Sequence, residues 1–91
     1  MNQSIERTAL TNLITNEDYA KKVLPFIKKD YFDGREEKII FEEITNFVDK
    51  YKKIPTGHAL EIEVGERKDL TETEYKKIVD IIQTLSPTDV D

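Results

Sequence analysis

The 91-residue sequence has no cysteine and no tryptophan, and it contains only three glycines and three prolines. Without cysteine, disulfides and thiolate metal sites are excluded, which fits a reducing, cytoplasmic setting. No apolar run approaches the ~18 residues of a membrane span. The first ten residues, MNQSIERTAL, also lack the basic and apolar regions of a signal peptide. We therefore expect a cytoplasmic protein that makes no contact with membrane.

Residues that could support catalysis are equally scarce. There is no phosphate-binding loop of the form G-x-x-x-x-G-K-[ST], because Gly34, Gly57 and Gly65 stand singly. His58 is the only histidine, so a zinc site or a histidine-based triad would lack most of its members. The neighbouring carboxylates in FEE and LEIE carry no sign of the burial that raises a pKa. We expect no catalytic, cofactor-binding or metal residue in this segment.

The net charge of −5 is unevenly distributed. Residues 1–56 carry ten basic and ten acidic side chains, whereas residues 57–91 carry four basic and nine acidic ones. An acidic region repels phosphate, so we expect little direct binding of nucleic acid. It could meet a basic protein, or it could be an ordinary solvated surface. The aromatics and lysines of KKDYF, residues 28–32, could stack on bases, but we expect Tyr31 and Phe32 to fill the core.

The longest predicted element is a helix over about residues 34–53. Its apolar residues follow the helical period of 3.6. Asp33 and Glu36 have the spacing of a capping box, and Pro55 ends the segment. Ile39 projects away from this apolar stripe, so a second helix or a partner must cover it. The stripe consists of Ile40, Ile44, Phe47, Val48 and Tyr51.

The remaining helices are predicted from their caps. Ser4 can cap a first helix whose apolar face includes Ile5 and leaves Glu6 in solvent. Asn16 can cap a second helix, which Pro25 should bend or interrupt. The segment HALEIEV alternates like a strand, but it has no second strand to pair with.

Thr56 before HALEIEV and Gly65 after it favour a short helix. Thr71 and Glu74 form a capping box that opens the last helix, and Ser86-Pro87 ends it.

These patterns predict an all-α fold, a compact orthogonal bundle of about five helices over residues 1–86, with residues 87–91 starting a linker or a frayed tail. Ile39 and Ile81 are candidate partner contacts, although packing against a neighbouring helix is the alternative for each. As a core residue, Phe47 should cost about 3–5 kcal/mol on replacement by alanine. The predicted core is Leu13, Val23, Phe32, Ile40, Ile44, Phe47, Val48, Tyr75, Val79 and Ile82.

The order of these segments resembles the N-terminal domain of DnaB-type replicative DNA helicases. DYAKKVLPFIKKDYF and KIIFEEITNFVDKYKKIPT match its pattern of Asp-Tyr, a valine, an apolar pair, aromatic-Phe, Ile-Phe-Glu-x-Ile and Pro-Thr. LTETEY and the internal Pro25 are more similar to the helicases of T-even-type bacteriophages than to bacterial ones. Single matches are ordinary helix patterns, so the resemblance depends on their order and spacing over residues 4–85.

The resemblance implies a helical tier of a hexameric ring in the host cytoplasm, with roles in assembly of helicase subunits and in primase docking. A helicase loader is a further candidate partner. ATP and Mg²⁺ would be bound by a RecA-like motor elsewhere in the parent chain, so this segment should not itself be an enzyme. Alternatives are a stand-alone helicase-interacting protein, such as a loader or inhibitor, and the helicase-binding domain of a primase. Met1 directly before the first cap argues against the primase. A small DNA-binding protein is less expected, given the acidic charge.

Overall fold

The caps and apolar periods of the sequence produce five α-helices and one 3-10 turn in a computed structural model that describes residues 3–85. No strand is present among these residues, so the predicted all-α fold is confirmed. The predicted tail, residues 87–91, and the Ser86-Pro87 stop lie outside the described residues. The elements are α1 (Gln3–Thr15), α2 (Glu17–Val23), a 3-10 turn (Lys29–Tyr31), α3 (Arg35–Tyr51), α4 (Gly57–Gly65) and α5 (Glu72–Leu85).

Two side-chain caps form as predicted. The Asn16 side chain accepts the Tyr19 amide at 3.0 Å before α2, and Thr56 Oγ1 accepts the Ala59 amide at 3.0 Å before α4. Each satisfies one of the amides that a helix start leaves unpaired. HALEIEV is therefore a helix, because a helix satisfies its backbone internally where a lone strand could not.

A reciprocal capping box opens α5. The Thr71 amide donates to Glu74 Oε1 at 3.0 Å, and the Glu74 amide donates to Thr71 Oγ1 at 3.1 Å. Glu74 Oε2 also lies 3.2 Å from Arg35 Nε, at the start of α3. One carboxylate thus starts α5 and joins its first turn to that of α3.

The predicted capping box at the start of α3 is wrong. Gly34 is the N-cap and makes no side-chain cap hydrogen bond. The Asp33 amide, which a capping box would direct to Glu36, donates instead to both carboxylate oxygens of Glu6, each at 3.3 Å. Glu6 of α1 therefore accepts the hydrogen bond that the predicted capping box assigned to Glu36.

The buried face of α1 also differs from the prediction. Glu6 is fully buried, whereas Ile5 is 52% exposed. At 100° per residue, Glu6 lies at the centre of the face formed by the buried apolar residues of α1, and Ile5 is about 110° away. The helix includes Ser4, and the capping role proposed for its side chain lies outside the described residues. The buried apolar residues of α1 are Ala9, Leu10, Leu13 and Ile14.

Helix α3 contacts α1, α4, α5 and the 3-10 turn, and α1 also contacts α5. The side chains that meet there exclude water and form one apolar core. Of the predicted core residues, Leu13, Phe32, Ile40, Ile44 and Ile82 are fully buried. Val23, Val48 and Tyr75 are half-buried and pack against this core.

Three aromatic and aliphatic residues lie farther out than predicted. Phe47 is half-buried, and its ring centre lies 4.5 Å from that of Tyr51 near the end of α3. Val79 is likewise half-buried and lies outside the core cluster. Tyr31 lies at the surface and contacts the buried Phe32 edge to face at 5.1 Å.

The different burial of two phenylalanines gives a stability prediction. Phe32→Ala should lower the free energy of unfolding by about 3–5 kcal/mol, because it empties a closed site. Phe47→Ala should cost only about 1–2 kcal/mol, because its ring is already partly in water. Urea denaturation of both variants measures this. Equal losses would show that Phe47 contributes to the core as much as Phe32.

Candidate interaction surfaces

The two predicted partner contacts are buried within the chain itself. Ile39 is 5% exposed and Ile81 is 9% exposed, and both belong to the apolar core. Ile39 and Arg67, which belongs to the loop between α4 and α5, line the same cleft. The packing alternative describes both residues, and neither offers a partner an apolar surface.

Arg67 joins the α4–α5 loop to α3. Its Nη1 donates to Glu43 at 2.8 Å and to Glu42 at 3.5 Å. Its Nε and Nη2 donate to the two oxygens of Asp69 at 3.0 and 2.9 Å. This bidentate geometry holds the guanidinium in one orientation. Glu43 is buried, and Arg67 supplies the opposite charge that its burial requires.

These contacts shift two pKa values. The hydrogen bond that Arg67 donates to Asp69 raises the pKa of Arg67, although burial opposes it, and Glu43 adds to the rise. The hydrogen bond from Arg67 lowers the pKa of Asp69 in turn. Arg67 and Asp69 both stay charged near neutral pH, so their contact is a structural ion pair rather than a proton donor or acceptor.

Two further buried carboxylates, Glu6 and Glu37, lie where α1 meets the start of α3. Glu37 is 1% exposed, and its Oε2 lies 3.4 Å from Arg7 Nε. Its Oε1 is buried without a hydrogen-bond partner among the described residues. A Cβ at Gly34 would overlap that same oxygen, so glycine leaves space for the carboxylate. Together with Glu6, Glu37 surrounds the backbone turn that starts α3.

The burial of these three carboxylates was not predicted, although the helical period contained a signal for two of them. Glu37 precedes Ile40 and Ile44 by three and seven residues, so it lies on the same helix face as their stripe. Glu6 has the same relation to the apolar residues of α1. For Glu43, the deciding feature is the distant Arg67, which no local pattern reveals.

The first exposed apolar surface is a shallow groove, here called the α1 groove. Ile5, which is 52% exposed, forms one side, and the Tyr31 ring forms another. Because Tyr31 contacts the buried Phe32, its ring is held in place and can present a fixed surface. Such a groove suits an apolar side chain of a partner protein. The lining residues are Ile5, Thr8, Ala9, Asn12, Tyr19 and Tyr31.

The second exposed apolar surface surrounds the bend at Pro25, which interrupts α2 as predicted. The amides of Phe26 and Ile27 both donate to the Val23 carbonyl, at 2.8 and 2.9 Å, and the chain then leaves the helix. Phe26 is 82% exposed. Beside the bend lies a groove between α2 and α3, here called the α2–α3 groove. Its lining residues are Ala20, Lys21, Leu24, Pro25, Thr45, Val48 and Asp49.

Within residues 3–85, no group of three or more histidine or carboxylate side chains is placed to hold a metal ion. The glycines near helix starts, Gly34 and Gly57, stand alone and form no loop of amides around a phosphate. Over the same residues, no helix combines the length and apolarity needed to cross a membrane.

Comparison with known proteins finds a sequence similarity to a replicative helicase. Over 82 residues, which is 90% of its length, the chain is 32% identical to a DnaB-like replicative helicase of Enterobacteria phage T4. The chain spans 17% of the length of that relative. No protein-family model matches it. The similarity agrees with the predicted resemblance to replicative helicases, and it relates this chain to one region of that relative.

The capping box of α5 should make stability depend on pH. The Thr71 amide is the main cause that lowers the pKa of Glu74 in the folded chain, and Arg35 adds to it. A lowered folded-state pKa stabilises the fold above the unfolded value, about 4.3, and this contribution disappears as pH falls through the folded value. The wild type should therefore have a higher free energy of unfolding than Glu74→Gln near neutral pH, and this difference should disappear between about pH 5 and about pH 2.

Urea denaturation of both chains across that range measures the effect. In an Arg35→Gln background the difference should shrink, because one cause of the shift is gone. A wild-type advantage that persists unchanged in acid would contradict the proposed role of Glu74.

The buried Glu37 should make Arg7 important for stability. Arg7→Met should lower the free energy of unfolding by about 2–3 kcal/mol, because it leaves a buried carboxylate without its counter-charge. The loss should be smaller than for a fully buried pair, because Arg7 is itself partly exposed. Adding Glu37→Gln to that variant should recover most of the loss, because the uncompensated charge is then gone. Thermal or urea unfolding of the four chains of this cycle gives the coupling energy. Additive losses would show that the pair is not coupled.

Proposed function

We propose that this chain is the N-terminal protein-interaction domain of a phage replicative DNA helicase, and that it contributes to ring assembly and primase docking without being catalytic. The observation that carries the proposal is the 32% identity to the phage T4 helicase over 90% of this chain. Because the chain spans 17% of that relative, it corresponds to one region of a much longer protein. Binding of ATP and Mg²⁺ then belongs to another region of the helicase.

An interaction role is supported by the exposed apolar side chains. Ile5 in the α1 groove and Phe26 at the bend remain in water, although a chain this small needs its apolar residues for its core. We assign primase docking to the α1 groove, where Tyr31 is fixed by the core and Ile5 is accessible. A loader would be a further partner, competing for or adding to these surfaces.

The first experiment is to read the gene beyond the codon for Asp91. The proposal expects a continuous reading frame that encodes a phosphate-binding loop of the G-x-x-x-x-G-K-[ST] type and a RecA-like motor. A stop codon at that position would overturn it and favour a stand-alone protein that binds a helicase, such as a loader or an inhibitor.

Primase docking can be tested by calorimetric titration of the 91-residue chain with the primase encoded by the same genome. Ile5→Asp should weaken binding by at least about tenfold, because it places a charge in the apolar groove. The fold should tolerate it, because a carboxylate is favourable in the first turn of a helix. Ile62→Asp is the matched control, since Ile62 is 50% exposed on α4, outside both grooves.

An unchanged affinity for Ile5→Asp would remove the α1 groove as the docking site. Failure of the wild-type chain to bind the primase would remove the docking role itself, while ring assembly would still be decided by the experiment below.

A further inference from the structure

Phe26 is exposed to an unusual degree for a phenylalanine. It is 82% exposed, whereas Phe32 and Phe41 are buried and Phe47 is half-buried. Its backbone is fixed, because its amide donates to the Val23 carbonyl at 2.8 Å directly after Pro25. A large aromatic side chain held in water by a rigid turn is typical of an anchor residue that fills a pocket on another molecule.

A pocket of suitable chemistry lies beside Phe26 on the same chain. The α2–α3 groove is formed mainly by the apolar side chains Ala20, Leu24, Pro25 and Val48. Phe26 adjoins Pro25 in sequence but is not among the residues that line the groove, so its ring leaves the groove of its own chain open. The surface thus carries a protruding ring and an apolar groove side by side.

We propose that a second copy of this chain occupies the groove, with Phe26 of each copy inserted into the α2–α3 groove of the other. Because the Phe26 ring and the α2–α3 groove lie side by side, a two-fold axis between two copies would place each ring in the groove of the other copy. This is the geometry of an isologous interface. The inference deepens the assembly role proposed above and rests on it, because it supplies a subunit contact for that assembly.

The charges at the groove favour a second copy as its occupant. Two chains with a net charge of −5 repel each other in general. The lining of the α2–α3 groove, however, includes one cation, Lys21, and one anion, Asp49, and Lys21 is only loosely paired within its own chain, with the exposed Glu17 at 3.8 Å. Two identical grooves can therefore approach with opposite charges facing each other, which a uniformly acidic face would not allow.

The area of the contact sets its expected strength. A phenylalanine buries about 150–250 Å², so two of them supply only part of the ~1,000 Å² of a stable interface. The isolated chains should therefore dimerise weakly, with a Kd on the order of 10⁻⁴ M. In a ring, other contacts would hold the subunits together and raise the effective concentration of each Phe26 side chain near its groove.

The test combines sedimentation equilibrium with nuclear Overhauser measurements on an equal mixture of isotope-labelled and unlabelled chains. Filtered spectra should show contacts from the Phe26 ring of one copy to the methyl groups of Leu24 and Val48 of the other. Phe26→Ala should raise the dimer Kd by at least about tenfold while preserving the fold, since the side chain is in solvent. Ile62→Ala, which removes an exposed isoleucine from α4, should leave the Kd unchanged.

The inference is overturned if the chain stays monomeric up to about 1 mM, if Phe26→Ala and Ile62→Ala behave alike, or if the Phe26 ring contacts other residues of the second copy. Binding of Phe26 to the primase without self-association would overturn it as well. The gene sequence beyond Asp91 decides the proposed function separately. A motor found there alongside a monomeric chain would remove this contact and keep the helicase assignment.

Discussion

The structure depends on the burial of α3 on more than half of its circumference. In a chain of this size, α1, α4 and α5 all pack against α3. Its buried residues therefore spread over an arc of about 200°, wider than the apolar stripe that its sequence provides. The arc includes Glu37 and Glu43, and both are buried because the apolar residues beside them must be. A central helix with too few apolar residues obliges the fold to accommodate charges.

Arginines from other elements make that burial tolerable. Arg7 from α1 faces Glu37, and Arg67 from the α4–α5 loop faces Glu43. Such pairs gain little free energy over an apolar pair, because desolvation offsets most of the Coulombic attraction. They do penalise any packing in which a carboxylate is buried without its arginine. Apolar contacts thus supply most of the stability, and the ion pairs select the arrangement of α1 and the α4–α5 loop around α3.

The sequence predicted those features whose causes are local. The caps at Asn16 and Thr56, the capping box of α5 and the interruption at Pro25 each depend on residues a few positions apart, and each is confirmed. The phase of α1 and the cap of α3 were wrong for a shared reason. Both depend on Glu6, which is buried because the Asp33 amide, twenty-seven residues away, donates to it. The period of α1 places Glu6 on the inner face, but it does not reveal the distant amide that this buried carboxylate accepts.

The same constraints explain why particular apolar side chains are left in water. Glu6 occupies the centre of the inner face of α1, so Ile5 is turned outward into the α1 groove. Pro25 cannot continue the hydrogen bonds of α2, so the chain turns and Phe26 leaves the helix before it can reach the core. Ile5 and Phe26 are thus exposed because the adjacent residues, Glu6 and Pro25, fix the course of the chain. The free-energy cost of keeping these apolar side chains in water persists in the free chain. A partner that covered Ile5 or Phe26 would remove that cost, so these two surfaces can contribute free energy to binding.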